Sequence, residues 1–186
     1  YNEAEAKQIL ESAGYVDTDG DGYVEKDGQN ISLTIAYYKR LSQEAIATEL
    51  QSALKKIGIQ SELQLHEGTK YLSNKEYDLG FYSMVTMPTG DPSYYLNALL
   101  SEGGTVNFSG YDNHAIQVLL KQLNDSYDTK QRKEIVKQIE EMLLASYSIT
   151  YIGFNNLIFA TRKELKNFVP HVTDYYQITV DLELQS

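Results

Sequence analysis

An acidic loop near the start of the chain has the residue pattern most readily connected with chemistry. Its candidate ligands alternate along the sequence: Asp17, Asp19, Asp21 and, through its carbonyl, Tyr23, with Glu25 at the ninth loop position. This is the spacing of the first half of an EF-hand calcium loop, whose twelfth position is a bidentate Glu. Here the twelfth position is Gly28, so the pattern predicts weak calcium binding. The structural alternative is a pair of Asp-Gly turns leading into a strand.

Residues that could perform catalysis form no recognisable pattern. The three histidines, His66, His114 and His171, are far apart, and no two of them have the spacing of metal ligands on one helix. The absence of cysteine excludes a thiolate nucleophile, an iron–sulfur cluster, a cysteine zinc site and a disulfide framework. We therefore expect a protein that is not an enzyme and has no cofactor, with weak calcium binding at the acidic loop as the alternative to simple Asp-Gly turns.

The composition predicts a folded, acidic protein. The chain has 186 residues, 42% of them hydrophobic, with 16 Lys and Arg against 26 Asp and Glu, a formal charge of −10. This length and apolar content are typical of a single domain, which we place at residues 1–186. A negative surface repels phosphate backbones, so nucleic acid is not an expected partner.

The elements that must position any site begin with a strand, helix, strand unit. Apolar spacing predicts a helix over residues 2–13, a strand over 31–37, a helix over 42–57 and an extended segment from Ile59 to Leu65. Such a unit pairs its two strands in parallel and covers them with the helix between them. We therefore expect an α/β fold.

The second half of the chain alternates loops with helices. A strand over 77–85 runs into the two prolines Pro88 and Pro92, which end it. Two helices follow, one with apolar residues from Ile116 to Leu123 and one opened by a capping box at Asp128 and Gln131, and together they predict a helical hairpin. We further predict one or two strands within 148–160 and a last strand over 176–182.

The loop from Pro88 to Pro92 is the best candidate for binding a ligand. Loops beyond the carboxyl ends of strands in open α/β sheets commonly contain the ligand site. Aromatic, thioether and hydroxyl side chains occur there together, at Tyr82, Met84, Thr86, Met87 and Thr89. This mixture suits a small polar ligand. Alternatively, Tyr82 and Met84 pack against neighbouring helices.

A succession of segments resembles the C-terminal lobe of the peptide/nickel-binding proteins of ABC importers, the bacterial extracellular solute-binding protein family 5. The resemblance begins over residues 3–37, which include the acidic loop. It continues, in order and spacing, through Tyr77-Asp78-Leu79, Gly90-Asp91-Pro92, Asn107-Phe108-Ser109-Gly110-Tyr111, the Leu119-Leu120 helix and Gln131-Arg132. It covers nearly the whole chain.

The resemblance implies a fold, a location and partners. It implies the C-terminal lobe of a type II periplasmic-binding-protein-like fold, with a mixed sheet flanked by helices, excised from a larger two-lobed protein. Such a protein is periplasmic or lipid-anchored at the outer face of the cell membrane. It captures a solute between its lobes and delivers it to ABC permease subunits, and the partner of this lobe would be its missing N-terminal lobe.

The ligand implied by the resemblance depends on one position. In peptide-binding members an Asp about four residues before the proline of an Asp-Pro or Glu-Pro pair binds the peptide ammonium, and this chain has Pro88 four residues before Pro92. Asp91 corresponds instead to the acid beside that proline, which has a structural role. The departure favours nickel or a metal chelate, with oligopeptide or dipeptide binding as the alternative and a calcium-modulated interaction module as a second one. The ligand side of the lobe would then be formed by Tyr82, Met84, Thr86, Met87 and Thr89, with Asn107 on an adjacent loop.

Overall fold

The computed structural model describes residues 1–40, 42–171 and 177–185, and the chain separates into two compact units. The first unit is Tyr1–Ser83 and the second is Met84–Ser186. Each unit has its own buried apolar cluster.

The first unit contains the predicted strand, helix, strand arrangement. Its elements are α1 (Glu3–Ser12), β1 (Glu25–Lys26), β2 (Gln29–Asn30), β3 (Ser32–Tyr38), α2 (Gln43–Lys56), β4 (Gln60–His66), α3 (Lys70–Asn74) and β5 (Leu79–Gly80). β1 and β2 form a short antiparallel pair directly after the acidic loop. The predicted helices over 2–13 and 42–57 are confirmed to within one or two residues.

The main sheet has the order β4-β3-β5, and both pairings are parallel. β3 pairs with β4 along its whole length, from Ser32 opposite Gln60 to Tyr38 opposite His66. As the central strand, β3 has three consecutive buried residues, Ile35, Ala36 and Tyr37, because both of its faces are covered. The predicted α/β class is confirmed, with parallel pairing in this sheet and antiparallel pairing in separate two-stranded sheets.

A buried glutamine on α2 fixes the carboxyl end of β3. Ala47 of α2 packs with Ile35, Tyr37 and Phe81 in the core of this unit. Gln43, only 4% exposed, accepts a hydrogen bond from the Tyr38 backbone N–H and donates one to the Ser83 hydroxyl. A buried amide with both ends bonded fixes the backbone on which Tyr82 lies.

The second unit is mainly helical. Its elements are α4 (Ser93–Leu100), α5 (His114–Asp125), α6 (Thr129–Ala145) and the antiparallel pair β6 (Leu165–Lys166) and β7 (Glu183–Leu184). The three helices bury one cluster, which we call the helical core: Tyr95, Leu96, Leu100, Ile116, Leu120, Leu123, Ile135, Ile139 and Leu143. α5 packs on both α4 and α6, so the predicted hairpin of α5 and α6 is confirmed.

The starts of α5 and α6 show how the sequence determines these helices. The Asn113 side chain accepts hydrogen bonds from the backbone N–H groups of Ala115 and Ile116, and Asp128 accepts one from Gln131. Each is an N-cap that satisfies donors otherwise left unpaired in the first turn. Only half of the predicted capping box is seen, since the Gln131 side chain instead accepts a hydrogen bond from Ser126.

Three predicted strands differ from the fold, and one helix was not predicted. The strand over 77–85 is limited to Leu79–Gly80, and residues 148–160 contain no strand. Apolar residues in that second segment are exposed, among them Phe154 at 84% and Ile158 at 91%, and β-propensity without a partner strand does not produce a sheet. Residues 177–182 likewise form no strand, and Tyr176 lies outside the described residues. α4 was not predicted, because this helix has only eight residues and follows two prolines.

Candidate functional site

The loop predicted to contact the ligand connects β5 to α4. Its tight turn is closed by a hydrogen bond from the Gly90 N–H to the Met87 carbonyl, at 3.2 Å. Gly90 has φ of 79°, a conformation that favours glycine. This turn exposes the side chains of Met87 and Thr89.

The predicted ligand residues are distributed between the two units. Tyr82 belongs to the first unit and is 39% exposed. In the second unit Thr86 is half-buried, and Met87, at 51% exposure, is accessible to a ligand. Met84 packs against the helical core, which agrees with the alternative that it packs against neighbouring helices. It therefore has less exposed surface available to a ligand than Met87 has. The assignment of these residues to a ligand stays a prediction.

Asn107 holds its own loop together. Its side-chain amide donates to the Tyr111 carbonyl at 2.9 Å and accepts from the Tyr111 N–H at 3.0 Å. The loop is placed against α4 by Gly104, where a Cβ atom would come within 2.5 Å of the Ala98 carbonyl oxygen. Glycine is therefore required for this close approach. The resemblance assigned Asn107 to the ligand side of the lobe. In the structure its side chain binds the Tyr111 backbone.

Asp91 is the centre of an ionic clamp that fixes the end of the loop. The Arg132 guanidinium from α6 donates to both Asp91 carboxylate oxygens, at 2.7 to 3.0 Å. It also donates to the backbone carbonyls of Leu123 and Ser126 at the end of α5, at 2.5 and 2.7 Å. The planar fork of arginine allows one side chain to join these positions. The structural role that the resemblance gave to Asp91 agrees with this geometry.

The electrostatics of the clamp favour the charged carboxylate. Burial alone would raise the pKa of Asp91, but hydrogen bonds from Ser93 and the Arg132 guanidinium lower it below the usual value. Asp91 is the only acid between Met84 and Pro92. Both of its oxygens are bonded to Arg132, so this loop presents no unpaired carboxylate to a ligand.

An open cavity of about 520 Å³ lies beside α4 in the second unit. The side-chain amides of Asn97 and Asn124 form part of its wall. Each amide donates a hydrogen bond to the other, at 2.9 and 3.0 Å. None of the predicted ligand residues lines this cavity. Neither the cavity nor the Arg132 clamp could be found from the sequence. Asn97 and Asn124 are 27 positions apart and Asp91 and Arg132 are 41 positions apart, so no local spacing indicates either pair.

The acidic loop brings together the carboxylates predicted from its spacing, and Glu25 joins them. Asp17, Asp19, Asp21 and Glu25 each offer one oxygen, and these atoms lie within 4.8 Å of one another. Of the three histidines, His66 stacks on Tyr71 with ring centroids 4.4 Å apart, and His114 is the first residue of α5. Among the described residues, no histidine belongs to a group that could hold a metal ion.

The α/β fold matches part of the solved structures of solute-binding proteins, which identifies its class as a lobe of the type II periplasmic-binding-protein kind. The family model described as "Bacterial extracellular solute-binding proteins, family 5 Middle" matches residues 1–107, and the chain belongs to this family. The resemblance noted from the sequence is thereby confirmed. The family consists of solute-binding proteins rather than enzymes, in agreement with the expectation for this chain.

Two of the proteins similar to this chain are a nickel-binding protein and an oligopeptide-binding protein. The nickel-binding protein NikA of Staphylococcus aureus is 31% identical over 150 residues, covering 80% of this chain and 30% of NikA. The oligopeptide-binding protein AppA of Bacillus subtilis is 30% identical over 188 residues, covering 96% of this chain and 34% of AppA. The crystal structure of S. aureus NikA in complex with Ni(L-His)2 matches with a TM-score of 0.82 at 26% identity, over 99% of this chain and 38% of that one.

The chain therefore spans about a third of the length of the curated relatives that it matches. Within the part of the chain that the structure describes, no helix combines the length and the apolar character needed to cross a membrane.

Proposed function

We propose that this chain is part of the substrate-binding component of an ABC importer, and that the protein captures nickel or a metal chelate outside the cytoplasm for delivery to a membrane permease. Its partners are then the permease subunits. Family membership supports solute binding, and NikA supports nickel as the cargo. In this proposal the metal is the transported substrate and not a cofactor of the protein.

The observation that carries the choice of ligand is the lack of an unpaired acid on the loop from Met84 to Pro92. Its single acid, Asp91, already binds Arg132 through both oxygens. A peptide ammonium buried against this loop would have no counter-charge, which is costly. A chelate whose metal charge is balanced by its own organic ligands has no such requirement. Exposed Met87 and Thr89 supply thioether and hydroxyl contacts suited to it.

We also propose that the chain is a C-terminal lobe within a two-lobed protein, which is periplasmic or lipid-anchored. The fraction of each relative that it spans supports this, as do the exposed apolar side chains between Tyr151 and Phe159. Ile152, Phe154 and Ile158 are 59%, 84% and 91% exposed. In a longer protein these residues would be covered by the remaining polypeptide, since contiguous apolar surface normally marks an interface.

Oligopeptide binding is the second candidate, because AppA is 30% identical over 188 residues. Native mass spectrometry separates the two candidates when it is applied to the complete translation product of the reading frame that encodes this chain, purified without added ligand. We expect one small organic mass with stoichiometric nickel by elemental analysis. A ladder of peptide masses without metal would replace the nickel proposal by the peptide one.

A further inference from the structure

The acidic loop between α1 and β1 concentrates negative charge that the proposed transport function does not use. We call Asp17, Asp19, Asp21 and Glu25 the acidic cluster; their ligand atoms lie within 4.8 Å of one another. Among the described residues, no lysine or arginine forms a salt bridge with any of the four. Like charges at this separation repel one another, and the repulsion is strongest where a carboxylate is removed from water.

Glu25 provides an independent observation that indicates a ligand. It is only 6% exposed, although glutamate is rarely buried without a partner. Its Oε2 atom accepts hydrogen bonds from the Thr18 N–H at 2.7 Å and the Thr18 hydroxyl at 2.8 Å. Its Oε1 atom is buried and has no hydrogen-bond partner within the described residues. Folded proteins rarely leave a buried carboxylate oxygen unsatisfied, because its lost hydration is not replaced.

The three aspartates keep acceptor capacity for the same ligand. Asp19 and Asp21 each accept one backbone hydrogen bond, through Oδ1, from the N–H two residues further along. Asp17 accepts from the N–H groups of Gly20 and Gly22. Because each carboxylate oxygen has two lone pairs, all three side chains can still bind a cation.

We propose that the acidic cluster binds one calcium ion. Four carboxylates, with the Tyr23 carbonyl at the seventh loop position and water, supply the six to eight oxygen ligands that calcium takes. Glu25 binds through Oε1 while Thr18 holds Oε2, so the buried carboxylate becomes fully satisfied. Magnesium fits less well, because it demands near-ideal octahedral geometry and dehydrates reluctantly.

The position of the loop indicates what the ion does. Val16 and Glu25 form a backbone bridge across it, and the Val24 N–H donates to the Gly58 carbonyl after α2 at 2.8 Å. A bound ion would therefore stiffen the connection from α1 into the main sheet. Gly28 replaces the bidentate Glu of an EF-hand, so we expect a dissociation constant of about 10⁻⁴ to 10⁻³ M, in the range of extracellular calcium modules. This inference does not depend on which solute the protein transports.

Isothermal titration of the complete translation product of the reading frame that encodes this chain, with CaCl2 and separately with MgCl2, tests the proposal. The informative variant is Glu25→Gln, whose amide can still accept from Thr18 but presents an NH2 group to the aspartates. We expect one site in the wild type and at least tenfold weaker calcium binding in the variant. Asp27→Asn is the matched control, since it removes the same charge two residues away, outside the cluster, and asparagine tolerates the φ of 55° at that position. Its calcium affinity should stay within twofold of the wild-type value.

Circular dichroism verifies that the variants are folded. If Glu25→Gln does not fold, the calcium affinity of Asp19→Ser is compared with that of the wild type instead. No calcium binding by the wild type up to 10-fold above the expected dissociation constant would overturn the proposal. Equal calcium affinity in the wild type and Glu25→Gln would overturn the placement of the ion, and equal affinity for magnesium would overturn its assignment as calcium.

Discussion

Replacing Arg132 by alanine should destabilise the second unit, because one side chain joins the ligand loop to two helices. Arg132 on α6 donates to Asp91 before α4 and to the carbonyls of Leu123 and Ser126 at the end of α5. Leu123 is fully buried and Ser126 is 8% exposed, so water does not readily replace the lost donor at these carbonyls. In the alanine variant the Asp91 carboxylate and the two carbonyls all lose the guanidinium donor.

The magnitude follows from these contacts. Each lost hydrogen bond from the charged guanidinium to a carbonyl is worth about 1.5 kcal/mol, the low end for a charged donor, because the Arg132 side chain is partly exposed. The ion pair contributes about 0.5 to 1 kcal/mol, because the Asp91 side chain is 38% exposed and solvent screens part of the attraction. The free energy of unfolding should fall by about 3.5 to 4 kcal/mol, which corresponds to a Tm lowered by about 7 to 16 °C for a chain of this size.

Urea unfolding monitored by far-UV circular dichroism measures this loss. Arg132→Lys should lie between the wild type and the alanine variant, because one ammonium cannot reach the carboxylate and both carbonyls. The neighbouring exposed Lys133→Ala is the matched control and should change the free energy of unfolding by less than about 0.5 kcal/mol. If Arg132→Ala were as stable as this control, the clamp would not hold the loop and our reasoning would be wrong.

Two further predictions concern the same unit. The lowered pKa of Asp91 means that the clamp stabilises the fold above the unfolded-state pKa of about 3.9, and that this contribution is lost as the pH falls through the lower folded-state pKa. The stability difference between wild type and Arg132→Ala, measured by urea unfolding, should therefore be constant from about pH 7 to 5 and shrink below about pH 4; a difference that grew with acidity would contradict this. Gly104→Ala should lower the Tm measurably, because its Cβ would lie 2.5 Å from the Ala98 carbonyl oxygen, whereas Gly153→Ala, with open space around it, should not; equal Tm values would contradict the close approach.

Local patterns in the sequence were sufficient to predict the elements whose defining residues lie close together along the chain. Ile46, Leu50 and Leu54 recur at helical spacing, so α2 was predicted with its boundaries, and the alternation in β3 identified its strand. The N-cap at Asp128 was predicted for the same reason, since its partner is three residues away. The alternating aspartates likewise predicted a cluster, because a turn-dense loop brings nearby carboxylates together.

Features that depend on distant residues could not be predicted in this way. The Arg132 clamp, the Asn97–Asn124 pair and the burial of Glu25 arise from contacts that no spacing in the sequence specifies. The apolar segment from Tyr151 to Phe159 was wrongly predicted as strand, since its composition favours strands while the described residues offer it no partner strand. Whether a β-prone segment forms a strand depends on the neighbours available to it.

The central proposal is that the protein binds a metal chelate through the loop that follows β5. Calorimetric titration of the complete translation product with a nickel–L-histidine chelate, and in parallel with a short peptide, tests it most directly. We predict binding of the chelate at one site, weakened at least tenfold when Met87 and Thr89 are both replaced by alanine, and unaltered when the exposed residues Lys133 and Lys137 are replaced. Binding of the peptide but not of the chelate, or binding of the chelate that is indifferent to the loop variant, would contradict the proposal.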